Sequence, residues 1–524
     1  MTNNINSKLE HLGKKPRTLK FNRGIEKEAL RVDLNGGLAQ TPHPDFLGSK
    51  LCHPMITTDF SEAQLELITP VSNSITESLA TLDRVHRFIY SGLQDELLWS
   101  ASMPCVVPDD DHIPLAQYGS SNLGRLKTTY RNGLGHRYGR AMQTICAIHY
   151  NFSFSDEFWK TLAESEESNE SLQAFRSRRY FDLMRNFRRY SWLLIYLFGA
   201  SPAVCKSFLA NRAHNLEDFD YGSAYHLDAT SLRNGDLGYQ SEAQSDLLNI
   251  CYNSLDDYVN TLRQAICRPH PKFHALDTNE GERVQVNGSI LQSEAEFYTT
   301  IRAKRVPNKG GNFLTSLSER GVEYLEVRLL DINPYLPLGI DATEIRFLDT
   351  FLLFCLLKDS PVHDDGLCAA VQENVLKTVY AGRNLDLLLD DNGSDKPLGQ
   401  WGKDILTAMT RVASTLDKAA STQDYSRCLT EQIAKIDLSE NTPSARILND
   451  MREQSIPFFR FAMNQAISHR EYFVANPLTD EELTYFRSMS AKSVKDQQAT
   501  ERADTVSFDE YLASLQSEYE QPAS

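Results

Sequence analysis

The stretch from Thr18 to Val32 reads as a β-strand. In its centre, RGIEKEALR, Glu26 and Glu28 share one face, and Ile25, Lys27 and Ala29 take the other. His53–Pro70 starts irregularly and then alternates, with Leu65 and Leu67 opposite Glu62, Gln64 and Glu66. Met142–Ser155 reads as a strand that puts Ile148, Tyr150 and Phe152 on one face and Gln143, His149 and Asn151 on the other. Two later segments alternate in the same way. Glu296, Tyr298, Thr300 and Arg302 share a face of Glu294–Lys304, and Tyr324, Glu326 and Arg328 share a face of Gly321–Ile332. Lys309-Gly310-Gly311 between them predicts an antiparallel hairpin, as Asn35-Gly36-Gly37 does after the first strand.

Helical spacing appears elsewhere. Ile5–Leu12 predicts a short helix, and Ser74 with Glu77 caps one carrying Ile75, Leu79, Leu82, Val85 and Ile89. Ser171 to about Asn211 reads as helix, then loosens through Tyr221–Tyr239 with a turn at Arg233-Asn234-Gly235-Asp236. From Asp341 the chain is mostly helical; Ile405, Leu406, Met409, Val412 and Leu416 mark one helix over Trp401–Ala420. The apolar runs Trp192–Phe198 and Phe351–Leu357 fall short of the about 20 residues that span a bilayer, so they predict buried helices.

This pattern predicts an α+β protein with one compact unit over 1–477. Its sheet-forming part covers about 14–335 and a mostly helical part about 341–477. A polar helix, with a cap-like start at Thr479 and Glu482, and a loosely held tail fill 478–524. The net charge of −16 argues against nucleic-acid and anionic-membrane partners. The nine cysteines form no CxxC pair, and Met1–Lys20 lacks the apolar run of a signal peptide; a cytoplasmic location is expected. Against the acidic background, Tyr118–Arg140 is a basic island carrying Arg125, Lys127, Arg131, Arg137 and Arg140, read here as a loop facing an anion.

A lone ExE is most simply a solvated strand face. Here, however, Glu26, Glu28, Glu66, Glu326 and His149 all lie on polar strand faces, with Asp59 just before its strand. Such an oxygen-rich set suits magnesium, and the imidazole extends the choice to manganese. Arg131, Arg233 and Arg328 suit phosphate or carboxylate. Acids for metals and arginines for anions together equip a chain for phosphoryl transfer from a nucleotide. Neither a P-loop nor a Rossmann glycine pattern is present, so the phosphates must be held through metals on a sheet.

Seven segments, RGIEKEALR, TTDFSEAQLELITP, YGSSNLGRLKTTYRNGLGHRYG, IHYNFSF, YLFGASPAVC, TSLRNGDLGY and EYLEVRLLDINPY, resemble the bacterial glutamate–cysteine ligases. The resemblance runs from about Phe21 to beyond Asp349; Leu123, Asn132 and Asn234-Gly235 depart from it. It implies a glutamine synthetase-like fold, a curved and largely antiparallel sheet forming a funnel with helices outside. It also implies ATP as co-substrate with magnesium, and γ-glutamylcysteine as product, the first step toward glutathione.

By position the implied metal ligands are Glu26, Glu28, Asp59, Glu66, His149 and Glu326. The implied cysteine pocket is Phe60, Tyr130, Leu134, Gln143, Tyr239 and Tyr298, with Arg233 on the substrate carboxylate and Arg131 and Arg328 on the transferred phosphate. The expected partners are glutamate, cysteine and ATP, with glutathione as a candidate feedback inhibitor of a monomer. Three rivals stay open: a ligase of the same fold using another amine, a metal-dependent phosphohydrolase, and a non-catalytic relative.

Overall fold

Strand β1 (Phe21–Asp33) lies between two antiparallel neighbours, β3 (Gln64–Ile68) and β5 (Ile148–Phe154). In this computed structural model the described residues are 2–520 except 105, 211, 239–243, 245–247, 249, 251, 277, 280, 281, 309 and 310. The expected hairpin at Lys309-Gly310 and the site assignment of Tyr239 therefore fall outside the described residues. Beyond β3 lies β2 (Ile56–Thr58); beyond β5 come β7 (Tyr324–Leu330) and then β6 (Ile301–Lys304). A short β4 (Glu96–Leu98) pairs with the far end of β1. All six pairings are antiparallel, and the strand order leaves the sheet open.

Antiparallel register preserves the two-residue period across neighbours, so the acids of one strand meet those of the next. The other face of β1, with Ile25 and Ala29 fully buried, is covered by helices. Helices α1 (Ile75–Tyr90), α3 (Leu172–Phe198) and α5 (Ala342–Leu357) form that layer, and α6 (Leu398–Ala420) with α7 (Asp424–Asp437) packs outside α5. The apolar run of α5 is thus a core helix between layers, and Phe351–Leu357 is buried throughout. Arg23 of β1 clamps sheet to helix through a buried ion pair with Asp349 of α5 at 2.5 Å, while Tyr150 Oη donates to the same carboxylate at 2.8 Å.

The Asn35–Gly37 turn, with Gly36 at φ +83°, folds the chain back as a short hairpin in which Asp33 N donates to Gly37 O, Ala39 N donates to Arg31 O and Val32 bridges Leu38. Three other elements depart from the sequence reading. The basic island is not a loop but helix α2 (Asn122–Tyr138), whose cap Ser121 accepts from Gly124 N. The helix expected to reach Asn211 ends at Phe198: Gly199 leaves helical geometry at φ −56°, ψ 127°, packed closely against Ile195 O and Thr230 O, and Ala203–Cys205 turns into a short strand. The expected strand Glu294–Lys304 is strand only over β6; Glu294–Glu296 is a 3-10 turn.

At the C-terminal end, α8 (Asp480–Ala503) starts with the reciprocal capping box of Thr479 and Glu482. A further helix, α9 (Phe508–Glu520), packs against α4 (Leu255–Cys267) and against α2, where Arg125 covers the Phe508 ring at 4.2 Å.

Candidate active site

The register brings the acids together. Glu28 stands opposite Glu66, Glu26 opposite His149, and Glu326 opposite Asn151 and Arg302. His149 Nδ1 lies 3.4 Å from Glu26 Oε2 and 3.8 Å from Glu326 Oε1; its Nε2 lies 3.7 Å from Glu28 Oε1. Ligand atoms of Glu26, Glu66 and His149 all fall within 4.8 Å of one another. Asp59 follows β2 directly and is half-buried.

Electrostatics divides this set in two. The Glu28 carboxyl is pushed well above the usual range, first by burial and then by the charges of Asp59 and Glu66. Burial, then Glu26 and Asp59, does the same to Glu66. Burial is the largest single influence on Glu26 and raises it, but the His149 hydrogen bond together with the neighbouring His149 and Lys304 brings its carboxyl down. Glu326 moves well down against burial, because Lys304, Arg328 and Arg302 surround it. Burial and then Arg328 lower the His149 imidazole, which leaves it neutral with a lone pair to give.

The donor set passes a chemical test for a hard divalent cation. The like charges of Asp59, Glu28 and Glu66 crowd together, and among the described residues the buried acceptor Asn151 Oδ1 accepts no hydrogen bond. Asn151 Nδ2 meanwhile donates to Glu26 Oε1 at 2.8 Å and fixes that carboxylate.

Arginines rim this face. Arg328 Nη1 donates to Glu326 Oε1 at 2.9 Å and lies 3.4 Å from His149 Nδ1. Arg131 reaches across from α2: its Nε donates to Asp59 O, and its guanidinium lies 4.6 Å from the Tyr118 ring centre. One turn earlier, burial, then the Arg131 charge, lowers the Lys127 ammonium to about 8. Arg233 is buried; Nη2 donates to Arg328 O at 2.5 Å and Nη1 to Leu329 O at 3.2 Å, while Nε has no hydrogen-bond partner among the described residues. A cavity of about 540 Å³ is lined by His149, Arg328, Arg233 and Tyr298.

The implied thiol pocket gathers on α2 and the segments facing it. Phe60 and Leu134 are buried, Tyr130 lies on the same helix, and Gln143 Nε2 donates to Tyr298 Oη at 3.1 Å. Gln143 does so from a four-residue helix, Arg140–Gln143, rather than from the expected strand. Tyr298 stands edge-on to Tyr138 at 5.6 Å.

Three contributors escaped the sequence reading. Lys304 Nζ sits 3.3 Å from Glu326 Oε2, and its alternation with Arg302 in β6 was the available signal. Asn151 shared a face with His149 but offered no charge to draw attention. Lys127 was hidden among cations that mostly point elsewhere: Arg140 Nη1 donates to Ile113 O, and Arg137 is paired with Glu296.

Known proteins share this arrangement at the level of the whole chain. Residues 7–378 match the glutamate–cysteine ligase family profile. A glutamate–cysteine ligase of Alcanivorax borkumensis is 51% identical over 498 residues, 94% of both chains, and one of Azotobacter vinelandii is 48% identical over 497 residues, again 94% of both. The crystal structure of a glutamate–cysteine ligase from Francisella tularensis in complex with AMP superposes with a TM-score of 0.89 at 34% identity, covering 96% of this chain and 98% of that one. The fold is accordingly the glutamine synthetase-like ligase fold. With matches this long and this similar, the chain belongs to the glutamate–cysteine ligase family.

Proposed function

We propose that this protein joins the γ-carboxyl group of L-glutamate to the α-amine of L-cysteine at the expense of ATP, through γ-glutamyl phosphate. The products are γ-glutamylcysteine, ADP and phosphate, the first step of glutathione biosynthesis. One observation carries the reading: a cation-demanding acid face, two rim arginines and a ring-lined pocket meet beside one cavity. Glu26, Glu28, Asp59, Glu66, His149 and Glu326 would hold magnesium, or manganese, which when bound neutralises the phosphates of ATP.

The chain's own side chains do the rest. Arg328 and Arg131 grip the phosphoryl group as it passes to the γ-carboxylate, a role worth about 10³–10⁵ for arginines elsewhere. The cysteine amine then attacks the acyl carbon; the new C–N bond forms as the C–O bond to phosphate breaks. Arg233, beside the cavity, is assigned the cysteine carboxylate. Phe60, Tyr130, Leu134, Gln143 and Tyr298, with Tyr239 assigned to the same pocket by the sequence resemblance, keep the thiol, the stronger nucleophile, from the acyl carbon. The reading takes the protein as a cytoplasmic monomer acting on small molecules, with glutathione as a candidate inhibitor. Among the described residues no helix is long and apolar enough to cross a membrane.

The test is ADP release with glutamate, alone and with cysteine, serine or ammonia. Release is expected to need glutamate and to rise with cysteine. ATP loss without glutamate would indicate a phosphohydrolase, and ammonia equal to cysteine would indicate a ligase for another amine.

A further inference from the structure

Arg137 and Glu296 form an ion pair at 2.9 Å with both side chains fully shielded from solvent. The sequence places them 159 residues apart, one in the basic island and the other on a supposed strand face. Glu296 is fully occupied: Oε1 accepts from Arg137 Nη1 and from Tyr138 Oη at 2.6 Å, and Oε2 accepts from Gln292 N at 2.7 Å. Arg137 is equally committed. Its Nε donates to Gln285 Oε1 at 2.8 Å, Nη2 to Asn287 O at 2.5 Å, and the guanidinium covers the Phe273 ring at 4.4 Å.

The pair therefore welds the end of α2 to the segment 285–298. Both welded pieces carry the thiol pocket: α2 supplies Tyr130 and Leu134, and the segment ends at Tyr298. Two further bonds pass the position of Glu296 to Tyr298. The Glu296 carbonyl accepts from Gln244 Nε2 at 2.9 Å, and Gln244 Oε1 accepts from Tyr298 N at 3.0 Å. Gln292 closes the weld by donating to Tyr130 O at 3.1 Å, and Gly133 lets the segment approach closely, since a Cβ there would lie 2.8 Å from Gln285 Cβ.

We propose that Arg137 and Glu296 are positioning residues that set the spacing between the α2 side and the Tyr298 side of the cysteine pocket, and so the enzyme's affinity and selectivity for the thiol substrate. A buried ion pair is a poor stabiliser compared with apolar packing, whereas its fixed geometry suits a spacer. Neither residue touches substrate. The inference rests on the proposed assignment of Tyr298 and Gln143 to that pocket.

Steady-state kinetics and thermal melting of Tyr298→Leu, Glu296→Gln, Tyr138→Phe and the double variant Arg137→Met/Glu296→Leu test it. Tyr298→Leu reports on the pocket assignment itself: an unchanged KM for cysteine overturns that reading. Glu296→Gln is expected to raise the KM for cysteine by roughly 10–100-fold, the loss of a charge-assisted hydrogen bond, with the KM for ATP unchanged. It should also shrink the preference for cysteine over 2-aminobutyrate. If Glu296→Gln fails to fold, Tyr138→Phe, which removes one donor, is expected to give a smaller rise for cysteine alone. The double variant is expected to recover the melting temperature but not the cysteine KM. Recovery of both, or cysteine and ATP constants that shift together, would overturn the proposal even where Tyr298→Leu behaves as expected.

Discussion

Glu28 of β1 stands directly across from Glu66 of β3, a buried and a half-buried carboxyl with raised proton affinity on adjoining strands. A group whose folded pKa exceeds its unfolded value stabilises the fold below the unfolded pKa, and that contribution is lost as pH rises through the folded value. Glu28 and Glu66 thus favour the metal-free fold at low pH and cease to as they ionise. Glu26 and Glu326, which are moved down, act in the opposite sense: their contribution exists above the unfolded carboxyl pKa and fades as pH falls through the folded one. A divalent cation replaces the protons on Glu28 and Glu66. Magnesium-ATP binding is therefore expected to release protons in the pH range where those two hold them, and to raise the melting temperature more as pH rises. Calorimetric titration in two buffers of different ionisation enthalpy checks this; no proton release at any pH would contradict it.

The hydrogen bond from Asn151 to Glu26 gives a second expectation. Outer-shell partners that orient a ligand typically matter by 10–100-fold in metal affinity. Asn151→Ala is expected to shift the magnesium dependence of turnover by about that factor and to be rescued by excess magnesium. Glu26→Gln, Glu66→Gln and Glu326→Gln remove charge from the set itself, so turnover should fall sharply and magnesium should restore it only in part. Normal turnover by any of the three at low magnesium would take that residue out of the metal set.

The acid face was legible in the sequence because an antiparallel register transmits side-chain parity from strand to strand: Glu26, Glu28, Glu66, His149 and Glu326 needed only their odd–even positions. What parity could not supply was long-range pairing. Glu296 shares the parity of Tyr298 and Arg302, yet its segment leaves the sheet because Arg137, Tyr138 and Gln292 N capture its carboxylate. The basic island misled for the same reason. Its charge suggested one anion, but Arg137 answers Glu296, Arg125 stacks on Phe508, and only Arg131 and Lys127 face toward the acids.

Arg328 and Arg233 are joined through the β7 backbone, since Arg233 Nη2 holds the carbonyl of Arg328. Their expected kinetic signatures still differ. Arg328→Lys keeps the charge but loses the fork that grips a phosphoryl group, so kcat should fall with little change in either KM. Arg233→Lys should raise the KM for cysteine most, with a smaller fall in kcat from the loosened Arg328 carbonyl and an unchanged KM for ATP. Identical defects in the two variants would mean that they act as one unit and that the carboxylate role of Arg233 is wrong.

The thiol pocket should choose its substrate by packing. Phe60 and Leu134 present apolar surface, and Gln143 Nε2 is already committed to Tyr298 Oη at 3.1 Å. A serine hydroxyl would have to leave water without gaining a strong partner, whereas sulfur is easily desolvated and packs well against ring edges. A methyl group in the same place loses the sulfur–ring contact but strands no polar atom. Pockets of this kind separate small substituents by about 1–3 kcal/mol, or 10–200-fold. The expected order of kcat/KM is cysteine, then 2-aminobutyrate, then serine. Serine outperforming 2-aminobutyrate in the unaltered enzyme would show the pocket to be polar and would remove these side chains from it.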